Sequence, residues 1–283
     1  MKNNLKILSL ALCVLPIYLH AGTGQDLKPV YQPTQGQSMR SAEPIPVGTI
    51  LPVSLNSALR ADKSGSGTTI IATVMQDVPL GGGETLRRGS MLTGHVVEAF
   101  SPGRGSDESK ISFQLDEVRL GNLTVPITTS LRAAASRSEV FAATPELTSS
   151  ENADNTIEIG GDQISYGEGE PVMVGSQVVG KYTSQGVLAN VNPDSAGPGG
   201  GTIDGDAHPQ AFWLFSVNAH GAYGFGDLKI LRSGSTEPLG QVTLTSNRKA
   251  VNLAKGSAML LRVEGSGPEE TQARVTPPRE TGR

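Results

Sequence analysis

The chain has 283 residues, among them 35 Gly and 18 Pro, so about 19% of its positions are backbone breakers against roughly 12% in average usage. Hydrophobic residues at 37%, charged residues at 18% and aromatics at 4% describe one modest core with much polar loop, which excludes a coiled coil, a membrane channel and a large multidomain enzyme. A formal charge of −4 offers no basic face for phosphates, so nucleic acid is not an expected partner.

Lys2 and Lys6 precede an almost wholly apolar stretch over 7–19, and Ala21 with Gly22 supplies small residues for cleavage. This is the pattern of a secretory signal peptide over 1–21. As a helix the apolar stretch would reach only about 20 Å, short of the roughly 30 Å hydrocarbon core, and Pro16 interrupts it. Leu12 occupies the position before Cys13 where acylation needs a small residue, so a lipid anchor at Cys13 is not expected. Cleavage would remove Lys2 and Lys6, leaving 21 basic against 27 acidic side chains, a charge of −6. It would also remove Cys13, the one cysteine, and with it any disulfide, thiol nucleophile or Cys-ligated metal.

Residues 22–44 are rich in Gln, Pro, Ser and Gly without apolar periodicity and are expected to form a disordered linker. The core pattern then begins, short and β-like, at 48–56, 68–75, 91–100 and 110–118. Ile111, Phe113 and Leu115 point to one face and Ser112, Gln114 and Asp116 to the other, as a strand with one wet side requires. The adjacent Asp116 and Glu117 are expected on opposite faces of that strand. Leu120-Gly121-Asn122-Leu123 predicts a tight hairpin into 123–128.

Helical propensity is confined to 131–145, where Leu131, Arg132 and three alanines suggest up to three turns. From Pro145 to Glu170, and again over 192–202, the composition is turn chemistry, so 132–208 is expected to be a loop-rich insertion with a few strands, notably over 171–182. β character returns at 211–217, the most apolar run after the leader, and continues at 223–231 and 258–263. The end, 266–283, carries Pro277-Pro278 and few large apolar side chains, and is expected to be a disordered tail.

One phrase occurs three times, each before an apolar strand: Ile45-Pro46-Val47-Gly48-Thr49, Leu86-Arg87-Arg88-Gly89-Ser90 and Leu253-Ala254-Lys255-Gly256-Ser257. The glycine can take the positive φ of a tight turn, the hydroxyl can bond nearby backbone, and the leading aliphatic can close the core beneath the bend. Gly48, Thr49, Gly89, Ser90, Gly256 and Ser257 are thus expected to be structural turn residues.

On these phrases, over about 45–130 and 247–264, the chain resembles the β-barrel domain of TrbI-type proteins of conjugation and type IV secretion channels. In that family an "IPxGT" entry precedes one strand, a "GS-apolar-apolar-x-G" turn opens another, and a late "L-x-x-G-[ST]" strand closes the barrel after a long insertion. Here 45–59, 72–78, 86–94 and 252–263 carry the corresponding elements. The family's inner-membrane helix and its outer-membrane helical hairpin have no counterpart, because after Ala21 no stretch approaches the ~18 apolar residues of a spanning helix. What the resemblance implies is an envelope barrel without the pore.

Signals for chemistry are sparse. Of the histidines beyond residue 21, His95, His208 and His220 lie far apart in sequence, so a zinc site would need distant contributions. Asp204 and Asp206 with His208 fall short of a calcium loop. No Gly-x-Ser-x-Gly elbow occurs, and the glycines at 221, 224 and 226 lack the following helix of a phosphate cradle, which makes that segment a β-turn. Trp213, Phe215 and Tyr223, with Phe212 and Phe225, are either a ligand surface for a sugar or the core where the insertion rejoins the barrel.

The expected fold is therefore mainly β, a partly open β-barrel or sandwich with a loop-rich β insertion and at most one or two short helices. The first part of the barrel is assigned to 45–131 and its return strands to 209–265. The expected role is a non-catalytic, exported scaffold or interaction protein, periplasmic or outer-membrane-associated, with envelope proteins as partners and self-association allowed. No catalytic residue, cofactor or metal ligand is expected. The alternatives are a carbohydrate- or surface-binding module using the aromatics, with a polysaccharide as ligand, and a hydrolase with a dispersed site.

Overall fold

The computed structural model describes residues 45–101, 108–144, 158–161, 169–174, 176–191 and 208–266. The predicted signal peptide with Cys13, the linker over 22–44, the tail beyond Ser266 and the Asp204 and Asp206 pair lie outside the described residues. The first part of the described chain forms β1 (Ile50–Leu55), β2 (Leu59–Arg60), β3 (Thr69–Val74), β4 (Val78–Gly81), β5 (Glu84–Leu86) and β6 (Met91–Phe100). Two long strands follow, β7 (Ser109–Leu120) and β8 (Leu123–Ala135), then the short helix α1 (Arg137–Ala143). A middle group comprises β9 (Pro171–Val174), β10 (Gln177–Thr183), β11 (Gly186–Ala189) and β12 (Gln210–Trp213). The chain ends its regular structure with β13 (Gly221–Tyr223), β14 (Lys229–Arg232), β15 (Val242–Ser246), β16 (Asn252–Leu253) and β17 (Ala258–Ser266).

The fold is mainly β and its centre is a closed six-stranded barrel. The ring runs β1–β3–β6–β7–β8–β17 and returns to β1, every neighbour antiparallel. Closure satisfies strand edges that an open sheet would leave unpaired. The lumen is filled: Leu51, Val53 and Leu55 of β1 meet Ala72 and Val74 of β3, Leu92 and Val96 of β6, and Met259 and Leu261 of β17 in one buried cluster. Short aliphatic side chains from six strands pack a barrel of this size without leaving a channel. Beyond the ring, β15 with β14 continues from one half of β7, and β13 lies parallel beside the end of β8.

The three repeated phrases form the same device at three strand entries. Gly48, Gly89 and Gly256 have φ of 89°, 89° and 84°. Each turn is closed by the hydroxyl residue's N–H, from Thr49 to the Pro46 carbonyl at 3.2 Å, from Ser90 to Arg87 at 3.1 Å and from Ser257 to Ala254 at 3.0 Å. Glycine at the third position with positive φ is the signature of a type II turn. The glycine N–H then donates to a neighbouring barrel strand, Gly48 to Val263 at 2.8 Å, Gly89 to Val74 at 2.9 Å and Gly256 to Leu55 at 2.9 Å. The same strand residues donate back to Thr49, Ser90 and Ser257, each at 2.9 Å. Two residues therefore oppose one, a glycine-first β-bulge. Beneath the bends Ile45, Leu86 and Leu253 are buried. Of the hydroxyls, Thr49 donates to the Pro46 carbonyl at 2.7 Å.

Several local expectations change in the tertiary context. The alanine-rich stretch after Leu131 is not helical: β8 extends through Ala135, and α1 begins only at Arg137, capped by the Ser136 hydroxyl accepting from the Glu139 N–H. Ala133 and Ala135 with Ala258 are buried against a second layer, so packing outweighs helix propensity there. Ser112, expected to be wet, is wholly buried and hydrogen-bonded to Thr243 of the added strand β15 at 3.0 Å. Asp116 and Glu117 do not separate to opposite faces. Thr93 pairs with Glu117 and Gly94 with Leu115, which leaves Asp116 as an extra residue. Both carboxylates then reach the outer face, Asp116 to His95 at 3.0 Å and Glu117 to the Thr93 hydroxyl at 3.0 Å. The apolar run over 211–217 is a strand only to Trp213, and 223–231 is split by a turn at Gly224 into β13 and β14.

Gly256→Ala tests the turn device, since an added Cβ meets nothing closer than the Arg137 stem at 3.7 Å and the cost is conformational. Urea unfolding should show a loss of about 1–2 kcal/mol, while Gly65→Ala, which has open space around it and no positive φ, should stay within about 0.5 kcal/mol.

Candidate functional site

The middle strands form a separate sheet, ordered β12-β11-β10-β9, laid on the outer side of the barrel. A second buried cluster fills the space between: Ile50, Ala133 and Leu260 from the barrel, Val187, Phe212 and Phe215 from the layer above. The aromatic trio gathers at this interlayer cluster, Phe215 inside it and Trp213 and Tyr223 packed against it. Phe215 has 0% exposure and belongs to the interlayer core, so it presents no face to a sugar. Tyr223 is half-buried, its hydroxyl donating to the His220 carbonyl at 2.6 Å and accepting the His220 N–H at 2.9 Å.

Trp213 is half-buried and has φ of 55°, a left-handed conformation that costs a bulky residue of order 1–3 kcal/mol and persists only when held by its surroundings. Gln76, with 1% exposure, does the holding. Its amide accepts the Trp213 N–H at 2.6 Å and donates to the Val187 carbonyl at 2.9 Å. Gly186 leaves the space, because a Cβ there would lie 2.7 Å from the Trp213 Cα. Gln210 and Gln185 complete the seam, accepting the Ile50 N–H at 3.0 Å and the Asp77 N–H at 2.7 Å.

The three histidines stay apart. His95 pairs with Asp116 on the outer barrel wall, His208 packs its ring on Gly81, and the His220 ring meets the Asn218 carbonyl at 2.9 Å. No group of three His, Cys, Asp or Glu side chains able to hold a metal occurs among the described residues.

A cleft of about 430 Å³ opens where β8 and β17 run beside β13 and β14. Two bulges shape it. Leu131 pairs with Leu261 and Ala133 with Leu260, so Arg132 is extra on β8; Thr129 pairs with Val263 and Thr128 with Gly265, so Glu264 is extra on β17. A bulge re-aims the side chain of its extra residue, and both of these line the cleft. The Arg132 Nε donates to the Ala219 carbonyl at 3.2 Å and Nη2 donates to the Val217 carbonyl, while the guanidinium carbon lies 5.6 Å from the Phe212 ring centre. Burial, with the Arg262 charge nearby, pulls its pKa down to about 10, which leaves it cationic at neutral pH. Glu264 is fully engaged: Oε2 takes an ion pair from Arg262 and Oε1 accepts the Ser130 hydroxyl at 2.5 Å. Burial lowers the pKa of His220, keeping it neutral.

Glu158 is also deeply buried, 8% exposed, and neither carboxylate oxygen has a hydrogen-bond partner among the described residues. Desolvation alone raises its pKa to about 9. Its neighbour Ile159 is stitched to the seam, donating to the Leu214 carbonyl at 3.0 Å and accepting from the Ser216 N–H at 3.0 Å.

Arg132, Glu264, Gln76 and Glu158 escaped the sequence reading. A lone arginine between Leu131 and three alanines was a signal for the first; for Gln76 the sequence carries none. Comparison of the chain with protein-family models, with curated proteins and with solved structures finds no match. No described helix is long and apolar enough to cross a membrane.

Gln76→Leu should strand the Trp213 N–H and the Val187 carbonyl, lowering unfolding stability by about 1–3 kcal/mol. Trp213 is the one tryptophan of the chain, so the same variant should red-shift the emission maximum of the folded protein. Glu158 supplies a pH dependence of defined sign. Protonated when folded and ionised when unfolded between its ordinary 4.5 and about 9, it contributes stability that is lost as pH rises through that window. Urea midpoints should fall between about pH 5 and about pH 9, at up to about 1.4 kcal/mol per pH unit, and Glu158→Gln should flatten the fall.

Proposed function

We propose that the protein is an exported, non-catalytic scaffold or interaction protein of a Gram-negative-type cell envelope, built on a barrel similar to that of TrbI-type channel proteins. The observation that carries this reading is the placement of the three turn phrases: each stands at a strand entry of a closed ring whose lumen is packed with aliphatic side chains. A filled barrel acts through its exterior, and the exterior here bears an added sheet and a charged cleft. Export is supported by the basic start, apolar stretch and small residues over 1–21.

The full chain with a C-terminal tag, produced in a Gram-negative host and fractionated, should appear without its first 21 residues in the periplasm or with the outer membrane. In-cell cross-linking in the native organism should recover envelope channel subunits. Full-length protein retained in the cytoplasm would refute the export part, and recovery of a polysaccharide in place of channel subunits would favour the carbohydrate-binding alternative.

A further inference from the structure

Among the charged groups of the cleft, Arg262 is paired with Glu264, while the Arg132 guanidinium pairs with no described carboxylate. Its own partners are neutral, two backbone carbonyls and the face of Phe212. No described carboxylate reaches it, and no bond from its Nη1 is found among the described residues. A cation in a half-buried site without an anion is costly, and a guanidinium fork matches planar oxyanions in geometry. The bulge at Arg132 adds to this, because an arginine kept in register would have pointed elsewhere.

We infer that the cleft between β8, β14 and β17 is a carboxylate-binding site whose anchor is Arg132, taking one carboxylate carried beside an aliphatic group. A single guanidinium anchor suits a monoanion; a phosphate dianion would set its second charge against Glu264. Leu131 and Ile230 line the cleft as apolar surface for the aliphatic part, and Ser233 with Ser235 supplies hydroxyls at its wall. A volume of about 430 Å³ accepts a small organic acid or the last residue of a polypeptide. The inference takes this cleft as an interaction surface of the exterior-acting barrel proposed above. The two fail separately, since binding in solution does not depend on where the cell puts the protein.

Titration of the isotope-labelled full chain, followed by amide chemical shifts, tests the site with N-acetyl-leucine, its uncharged amide, inorganic phosphate and an acetylated tripeptide ending in leucine. The acid should shift the Ser130, Gly221 and Ser233 amides saturably, at least about tenfold more tightly than the uncharged amide or phosphate. A tripeptide that binds more tightly than the single amino acid identifies a chain terminus as the source, and equal binding a small acid. Arg132→Lys should weaken binding. Arg132 also supports the fold, so the decisive variant is Ser235→Asp, which puts a like charge at the wall and should abolish the shifts while leaving the folded spectrum intact. Equal affinity for acid and amide, preference for phosphate, or full binding by Ser235→Asp would overturn the assignment.

Discussion

The ring stays closed because β8 is bonded along both edges, to β7 from Leu123 to Pro126 and to β17 from Ile127 to Ala135. That change of partner sets the geometry of everything around it. After Pro126 the upper half of β7 is free of β8, and β15 takes its edge from Ser109 to Phe113. At the fork the Leu115 carbonyl accepts the Thr129 hydroxyl at 2.8 Å, so the parting of the strands leaves that buried acceptor satisfied. The antiparallel β8–β17 pair holds its register over the longer run only by giving each strand one extra residue. Those extra residues, Arg132 and Glu264, join Arg262 as the charged side chains of the cleft. The site is thus a consequence of closure.

The repeated turns act on the same problem from the chain's other joints. A strand that enters through a glycine-first bulge is tied to its neighbour before its own ladder begins, by two reciprocal backbone bonds. Gly48 ties the entry of β1 to β17, and Gly256 ties the entry of β17 to β1. The pairing that joins the first and last barrel strands, some two hundred residues apart in sequence, is therefore clamped at both of its ends. Such a contact carries a high loop-closure cost, and local bonds that fix register limit the alternatives it must compete with.

This explains what the sequence disclosed and what it withheld. Period-two patterns, the Gly121 hairpin and the turn phrases are local, and each is legible because a strand or turn of a few residues states its own preference. The alanines after Leu131 misled because their burial depends on a sheet folded from residues far downstream. Asp116, Arg132 and Glu264 were illegible as neighbours of anything: a bulge shifts side chains by one residue, and its position is fixed by the partner strand. The aromatic trio shares the interlayer cluster but differs in depth for a related reason. Trp213 turns left-handed where β12 ends, and that reversal sends Phe215 inward while Trp213 itself remains at the seam.

Glu158 and Arg132 meet opposite fates on burial. Glu158 has no hydrogen-bond donor among the described residues to stabilise its charge and resolves its burial by keeping a proton at neutral pH. Arg132 has two carbonyls and an aromatic face, enough to keep its charge but not to neutralise it. A proton settles the first case up to about pH 9, at a cost in stability that grows as pH rises above the ordinary carboxylate range. No described carboxylate neutralises the second, and the cleft left by the parting strands is where the proposed anion would enter. Arg132 thus stands where β8 passes from β7 to β13 along one edge, between the pairing that ends at Pro126 and the one that begins at Ala133.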